Sequence, residues 1–420
     1  MRKPAAAPNQ SDPSLPPSLL QAMRRIRAKA SVESLSPDML ANIHDRLSLL
    51  DRLSFAAVFR ASRDALRPEA PCLVLPGDSP ETATLFSLSD RSATTLRAPE
   101  PALRGHAILG SSSSPFGGWL VTADDRARIR LVNPVTGEQR ALPAITTIPC
   151  LEPRWGGFSF LFTDQKDFVR GPPYPGDGRP DRPPGGTYTL GAERMRRWFY
   201  RKVVLSDSAA MLITVPRFGV PAFATAEGGV WRLAPSRDGV QDAIHYDGKF
   251  HSITYTGAVE AWEQQGGVFT SAVVAPRLLL PPADADHRKY LVAAPGGRLM
   301  VVLEDSNKTT NGLFGPQRAR SFKVQVLDGE QWQETDDIGD AALFVGVNSS
   351  LCVSTREHPE LRAGCVYYTE NEQWPCQDPH DRDQSGVGVF SLKDGMAEKI
   401  EGLRRHRSWP PPAWFTPCIP

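Results

Sequence analysis

Two histidines have the residue type and spacing that metal chemistry would need. His245 and His251 flank Asp247-Gly248, a dipeptide typical of tight hairpin turns, so both imidazoles could converge on one metal ion. No carboxylate or cysteine at an obvious spacing completes the ligand set, and such a pair is more often packed or solvated. The sequence therefore predicts no metal site and no bound cofactor.

Other polar clusters also lack a catalytic pattern. His380 to Asp383 and Asp124-Asp125 are typical of polar turns. The sequence contains no G-x-S-x-G elbow, phosphate-binding loop, H-E-x-x-H motif or calcium-binding loop. Its six cysteines form no C-x-x-C pair, which is typical of buried thiols in a reducing compartment. We therefore expect a protein without catalytic activity.

The charge balance limits the classes of partner. Forty-eight basic residues face 47 acidic ones, so the net charge of +1 creates no general attraction to nucleic acid or anionic membranes. No apolar run is long enough to span a bilayer, and the first thirty residues lack an apolar secretory core. We expect no nucleic acid or membrane partner, and a location in the cytoplasm, the nucleus or both.

Residues 1–31 are rich in Pro, Ala and Ser, and their only acidic residue is Asp12. Four basic residues follow between Arg24 and Lys29. This composition favours a disordered arm. An organellar transit peptide and a short nuclear-import patch remain alternatives, because both depend on positive charge.

The elements that would position any site begin with residues 32–70, where apolar residues recur at helical steps of three and four. Ser36 suits a helix cap, Pro37 a first turn, and Asp38 the positive end of the helix dipole. A second start at Ser48 or Asp51 predicts two or three short helices, and we expect three. So small a unit leaves apolar surface that must find a partner.

This segment resembles an F-box, whose pattern is roughly L-P-x-D-L-L, I-x-x-R-L, D and V-C-R. The matching residues are Leu35, Pro37, Asp38, Leu40, Ile43, Arg46-Leu47, Asp51, Leu53 and Val58-Phe59-Arg60. The sequence departs from the pattern at Ser36, Phe59 and Ser62, where the family usually has Pro, Cys and Trp. The alternative is a plain helical cap on the next domain.

The F-box resemblance implies docking onto the Skp1 adaptor of a cullin-containing ubiquitin ligase. The residues expected to bind Skp1 are Leu35, Pro37, Leu40, Ile43, Leu47, Leu50, Leu53, Val58 and Phe59.

Residues 71–420 change to short runs rich in Val, Ile, Leu, Phe and Tyr, separated by Gly, Asp and Pro. Hairpin dipeptides at Asp247-Gly248, Asp328-Gly329 and Asp394-Gly395 predict antiparallel neighbours. A long meander must protect its sheet edges, which favours closure into a β-propeller. Residues 171–187 and 305–320 are so rich in Pro, Gly and charge that we expect surface loops there.

A second resemblance is to the plant KIB-type domain, which follows an F-box in many plant proteins. The segments that carry it are Leu131 to Glu138, Leu142-Pro143, Lys202 to Ser206, Asp247 to Phe250, Phe322 to Val324, Leu327-Asp328, Trp332, Leu343 to Gly346, Cys365 to Glu370 and Trp414 to Pro417. The resemblance implies a propeller that binds proteins, with some members inhibiting or degrading kinases. The expected fold class is α+β multidomain, with a small all-α F-box before a large all-β propeller of antiparallel meander blades.

These resemblances imply the substrate-receptor subunit of an SCF (Skp1-cullin-F-box) ubiquitin ligase. Large aromatic and arginine side chains dominate binding hot spots. On that basis the expected target-binding residues are Arg154, Trp155, Lys166, Tyr174 and Arg318. One alternative is a scaffold or kinase inhibitor with a decayed F-box, and another is an enzyme with an unrecognised site in the propeller mouth.

Overall fold

The computed structural model describes fifteen stretches of the chain. They are residues 35–58, 66–76, 82–97, 106–112, 118–163, 187–214, 219–281, 287–305, 309–312, 315–318, 320–346, 348–369, 386–404, 406 and 410–418. The expected disordered arm, residues 1–31, lies outside them, as does the expected loop 171–187 up to its last residue. The chain divides between Arg67 and Pro68 into two compact units.

Within the described residues, we find no helix that combines the length and apolar character needed to cross a membrane.

The first unit contains two described helices, α1 (Pro37–His44) and α2 (Leu49–Val58). Ser36 caps α1, because its Oγ accepts from the Met39 amide at 3.4 Å while its own backbone is extended. Ser48 precedes α2, and its hydroxyl donates to the Asp51 carboxylate at 2.7 Å. The expectation of three helices is not confirmed, since residues 59–65 lie outside the described part.

The described strands of the second unit form seven sheets and one separate hairpin. Sheet 1 contains β1 (Cys72–Pro76), β2 (Thr82–Ser87), β3 (Ser92–Arg97) and the last strand, β30 (Ala413–Phe415). Sheet 2 contains β4 (Ala107–Ser111), β5 (Leu120–Ala123), β6 (Ile129–Val132) and β7 (Gln139–Ala141). Sheet 3 contains β8 (Leu151–Arg154), β9 (Ser159–Thr163) and β10 (Thr187–Gly191). Sheet 4 contains β11 (Tyr200–Leu205), β12 (Ala209–Thr214), β13 (Ala222–Thr225) and β14 (Arg232–Leu233).

The remaining sheets follow in chain order. Sheet 5 contains β15 (Val240–Tyr246), β16 (Lys249–Thr254), β17 (Val259–Gln265) and β18 (Val268–Ala275). Sheet 6 contains β19 (Arg288–Ala293), β20 (Leu299–Asp305), β23 (Ser321–Asp328) and β24 (Gln331–Thr335), and the separate hairpin is β21 (Thr309–Gly312) with β22 (Gly315–Arg318). Sheet 7 contains β25 (Ala341–Val345), β26 (Ser350–Ser354), β27 (Cys365–Tyr368), β28 (Gly388–Ser391) and β29 (Met396–Glu398). Short helical segments lie at α3 (Ala192–Arg194), Ile145–Thr147, Trp155–Gly157 and Met195–Phe199.

Six sheets form a ring, because their innermost strands are successive neighbours in the order β30, β4, β11, β15, β19 and β26. β30 pairs with β1, so sheet 1 joins the two ends of the propeller unit. The gap between β26 and β30 is spanned at Asn348, whose side chain donates to the Trp414 carbonyl at 2.7 Å and accepts from its amide at 3.1 Å. The described strands therefore confirm the predicted propeller.

One strand pair departs from the predicted antiparallel meander. β27 lies parallel to β25, with Ala342 opposite Cys365 and Val345 opposite Tyr368. The chain first turns inward from β25 to form β26, and it then returns along residues 355–364 to the outer side of β25. β26 and β27 lie on opposite sides of β25, so the connection must pass β25, which a two-residue hairpin turn between adjacent strands cannot do.

Hydrophobic clusters join neighbouring sheets. Between sheets 4 and 5, Phe223 stacks on Phe269 with ring centroids 4.1 Å apart and packs beside the fully buried Trp262. Between sheets 1 and 7, Phe344 meets Trp414 edge to face at 4.9 Å. These aromatic side chains remove large apolar areas from water and so hold the blades together.

The hairpin turns differ in part from the sequence prediction. Asp247 and Gly248 form the expected two-residue turn, with φ of 48° and 72°. At the next predicted turn Asp328 still pairs with Gln331, so the turn residues are Gly329 and Glu330. The expectation of a loop over 305–320 is wrong, because β21 and β22 form a hairpin there. A polar composition indicates that a segment is exposed. It does not exclude a hairpin, because a hairpin requires only backbone pairing and a turn.

A buried polar cluster, which we call the Lys202 node, links four inner strands. Lys202 of β11 donates to the Asp242 carboxylate of β15 at 2.6 Å and to the Ser350 hydroxyl of β26 at 3.0 Å. The other Asp242 oxygen accepts from Ser350 at 2.8 Å and from the Leu291 amide of β19 at 2.9 Å. Lys202 and Asp242 are almost fully buried, so each charge depends on the other.

Lys202→Met should destabilise the propeller by about 3–5 kcal/mol, because it leaves the Asp242 carboxylate buried without its cation. Urea unfolding of the full-length protein, followed by circular dichroism, measures the change. The matched control is Asp340→Asn, which breaks the exposed pair of Asp340 with Arg356 and should cost less than about 1 kcal/mol. Unfolding of Lys202→Met at the wild-type urea concentration would contradict the role assigned to the node.

Candidate functional site

The helical unit exposes a small apolar face. Met39, Ile43 and Val58 expose 52%, 39% and 74% of their surface. Met39 and Ile43 are four residues apart on α1, so their side chains lie on the same side of the helix. Exposed apolar groups grouped in this way are suited to contact with another protein.

The sequence-predicted adaptor residues divide by burial. The buried ones are Leu40 and Leu53, the half-buried ones are Leu35, Leu47 and Leu50, and the exposed ones are Pro37, Ile43 and Val58. Phe59 lies outside the described residues. Met39 was not among them, although its spacing from Ile43 is the signal that could have identified it. Their roles in adaptor binding stay predictions.

A second exposed apolar feature is the turn between β8 and β9. Trp155 is 83% exposed and Phe158 is 55% exposed. Trp155, Gly156 and Gly157 all have left-handed backbone, with φ of 47°, 65° and 88°. The two glycines adopt this conformation without steric penalty, but a bulky residue such as Trp does so only at a cost in strain. The turn thus holds a large aromatic side chain out in solvent.

Arginine side chains accompany these aromatic rings. Arg126, from the turn between β5 and β6, lies over the Phe158 ring with its guanidinium carbon 5.0 Å from the centroid. Arg154 is exposed and donates to Glu152 at 3.1 Å. We call Trp155, Phe158, Arg126 and Arg154 the Trp155 surface.

The rest of the fold holds the Trp155 surface from behind. The Phe158 carbonyl accepts from the Ala192 amide at 2.8 Å. In the neighbouring turn Asp124 accepts from the backbone amides of Arg126 and Arg128, both at 2.9 Å. The Tyr200 hydroxyl donates to the Ala127 carbonyl at 2.8 Å, which ties that turn to β11. The two turns are therefore fixed by hydrogen bonds to separate parts of the chain.

Sequence reasoning identified only part of this surface. Arg154 and Trp155 are brought together with Phe158 and Arg126, which were not predicted. The glycine pair after Trp155 was the available signal for an exposed turn, whereas the approach of Arg126 depends on the packing of sheets 2 and 3. Of the other predicted residues, Lys166 and Tyr174 lie outside the described part of the chain. Arg318 lies on β22, where only its backbone is described.

A cavity of about 210 Å³ lies among the inner strands next to the Lys202 node. Its lining includes Ser111, His245, Asn348 and Cys352. Burial raises the pKa of the Cys352 thiol to about 11, so this side chain is protonated at neutral pH and is a weak nucleophile. Burial lowers the pKa of Lys202, an effect that the charge of Asp242 opposes. Three of the polar residues that line the cavity, Lys202, Ser350 and Asn348, are engaged in hydrogen bonds that hold strands together.

The histidine pair does not converge as a metal site would require. Ile244 pairs with His251 and His245 pairs with Phe250, so the two histidines lie on opposite faces of the hairpin. Burial lowers the pKa of both imidazoles, which favours their neutral forms. Within the described residues, no three His, Cys, Asp or Glu side chains are grouped so that they could hold a metal ion.

Comparison with known proteins identifies the propeller. The family model for the KIB1-4 beta-propeller matches residues 85–391, which is most of the second unit. Among solved structures, YCF48 from Cyanidioschyzon merolae is 12% identical over 72% of each chain with a TM-score of 0.33.

Curated relatives of the chain are plant proteins. The F-box protein At2g17036 of Arabidopsis thaliana is 26% identical over 236 residues, which cover 50% of this chain and 54% of that protein. The putative F-box protein At5g60060 of the same plant is 28% identical over 117 residues, covering 26% of this chain and 31% of that protein. The chain thus spans about half or less of the length of these relatives.

These matches confirm the resemblance to plant F-box proteins with a KIB-type propeller that the sequence predicted. The ring of sheets, its closure by β30 and the family match over residues 85–391 agree with one another. The chain belongs to the KIB1-4 β-propeller family.

Proposed function

We propose that this protein is the substrate-recognition subunit of an SCF E3 ubiquitin ligase. Its N-terminal helices dock on a Skp1-type adaptor and, through that adaptor, on a cullin, while the propeller binds a target protein. The observation that carries the proposal is the similarity to plant proteins that are named as F-box proteins, together with membership of the KIB1-4 propeller family.

The exposed side chains of α1 and α2 support the docking step. Met39 and Ile43 present adjacent apolar groups, and Val58 presents a third at the end of α2. Burial of such groups against a partner is favourable because it removes apolar surface from water. The buried Leu40 and Leu53 would act indirectly, by holding the helices in shape.

The receptor in this proposal breaks no bonds and needs no cofactor. It holds the target beside a conjugating enzyme that other subunits position, and this converts a rare encounter in solution into an effectively local one. The buried thiol of Cys352 and the engaged ammonium of Lys202 are consistent with a propeller that recognises and does not catalyse. We place the protein in the cytoplasm, the nucleus or both, without a nucleic acid or membrane partner.

A second candidate function is a propeller scaffold or kinase inhibitor whose F-box has decayed. Ser36 and Ser62 stand where the F-box pattern usually has Pro and Trp. Loss of those residues would weaken adaptor binding and leave the propeller intact. The two functions differ in whether the adaptor is bound at all.

Met39→Asp combined with Ile43→Asp should weaken binding of the Skp1-type adaptor by at least about 30-fold, because each change places a charge where an apolar contact is expected. Co-purification with the adaptor and cullin, followed by affinity measurement, tests this. Asn42→Asp is the matched control, since Asn42 is exposed on the same helix and is already polar. If the wild-type protein recovers no adaptor, the scaffold function is correct and the receptor function is wrong.

The same double variant should separate recognition from degradation. Proximity labelling with mass spectrometry first identifies proteins near the wild-type chain. A true target should be labelled equally by the Met39→Asp, Ile43→Asp variant, because the propeller is unchanged. Expression of the wild-type protein should lower the abundance of the target and raise its ubiquitination. Expression of the variant should change neither. A target whose level falls equally with both proteins would contradict the role of the helices.

A further inference from the structure

The Trp155 surface combines three properties that seldom occur together without a partner. It has two large exposed aromatic side chains in one turn, an arginine whose guanidinium lies over one of them, and a bulky residue in strained backbone. Of the four described non-glycine residues with left-handed φ, two lie in its paired turns, Ala127 and Trp155. Strain of this kind persists where surrounding structure enforces it, and it is often found at binding sites.

The charge around the surface favours an acidic partner. Residues 124–128, 152–158 and 192–197 contain six arginines and four acidic residues. Salt bridges join Arg128 to Asp124, Arg154 to Glu152, and Arg197 to Glu193. The local excess is positive although the whole chain is almost neutral.

Arg126 provides the specific contact. Among the described residues its guanidinium has no carboxylate within ion-pair distance, and its contact is the face of Phe158. A guanidinium that lies over a ring is attracted to the ring face and still has N–H donors that can bind both oxygens of a carboxylate. The nearby Trp155 and Phe158 rings offer an apolar contact for a neighbouring side chain of the same partner.

We propose that the Trp155 surface is where the propeller receives its target, and that it takes an extended acidic peptide segment carrying an apolar side chain. This inference rests on the target-binding half of the function proposed above. A single-stranded nucleic acid is the competing occupant for exposed aromatic rings and arginines. It is disfavoured because a phosphate backbone needs many basic contacts along its length and the net charge of +1 gives no general attraction to nucleic acid, whereas one peptide carboxylate needs only the Arg126 guanidinium.

A displayed library of random dodecapeptides, selected on the full-length protein, tests the proposal. The enriched peptides should be rich in Asp and Glu around an apolar residue. Fluorescence polarisation with synthetic versions then gives affinities, with oligouridine RNA as the competing probe. Binding of the acidic peptides should weaken strongly between about 0.05 and 0.5 M salt, because the charges are exposed.

Substitutions should change the affinity in a set pattern. Trp155→Ala and Arg126→Gln should each weaken the enriched peptides by at least about 30-fold, as expected of a hot spot. Arg126→Lys should be intermediate, because it keeps the charge and loses the planar stacking and donor pair. Leu279→Ala and Arg356→Gln are the controls, since both side chains are exposed elsewhere on the propeller. They should bind as the wild type does.

Trp155→Gly separates recognition from folding. Glycine relieves the left-handed backbone, so the thermal midpoint of this variant should equal or exceed that of the wild type, while peptide binding is lost. Enrichment of peptides without acidic residues, unchanged affinity in Trp155→Ala, or tighter binding of oligouridine that depends on Arg126 would each overturn the proposal. Adaptor recovery is measured on the same proteins, so failure of the receptor function would show as lost adaptor with peptide binding intact.

Discussion

The Lys202 node is the interaction on which the propeller most depends. Apolar clusters between sheets are favourable over a range of relative positions, because the hydrophobic effect has no direction. A buried ammonium and carboxylate tolerate no such range, since each must keep its partner and its hydrogen bonds. Lys202, Asp242, Ser350 and the Leu291 amide come from four different inner strands. We infer that the node sets how those strands meet at the centre of the ring.

Closure of the ring places a second constraint on the chain. β1 and β30 come from opposite ends of the propeller unit, and their pairing covers the edge that β1 would otherwise leave open. Asn348 bonds both backbone groups of Trp414, whose side chain is fully buried against Phe344. Residues close to the end of the chain therefore complete the core. The node and this closure together explain how the ring keeps one arrangement although every cysteine among the described residues is free.

Local patterns in the sequence were sufficient to predict that the second unit consists of short strands and that they form a propeller. Residues 129–132 and 365–368, for example, are strands, because their apolar runs are bounded by turns. The composition of residues 305–320 wrongly predicted a loop where β21 and β22 form a hairpin. The turn predicted at Asp328-Gly329 lies one residue later, at Gly329 and Glu330. Pairs such as Lys202 with Asp242 are 40 residues apart and come together only in the folded ring. Arg126 is likewise distant in sequence from Trp155 and Phe158, so no local pattern around Trp155 indicated it.

Binding of a partner at the Trp155 surface does not conflict with the Lys202 node or with closure of the ring, because the surface lies outside the inner strands that form them. β4 contacts β11 directly, so sheet 3 contributes no inner strand to the ring, and its turn can carry strain without disturbing the node. A left-handed tryptophan costs of the order of 1–3 kcal/mol, which the packed sheets can sustain. Hydrogen bonds from Ala192 and Tyr200 hold the two turns in place. A partner that binds there would not have to order these turns first, and less of its binding free energy would be lost to that ordering.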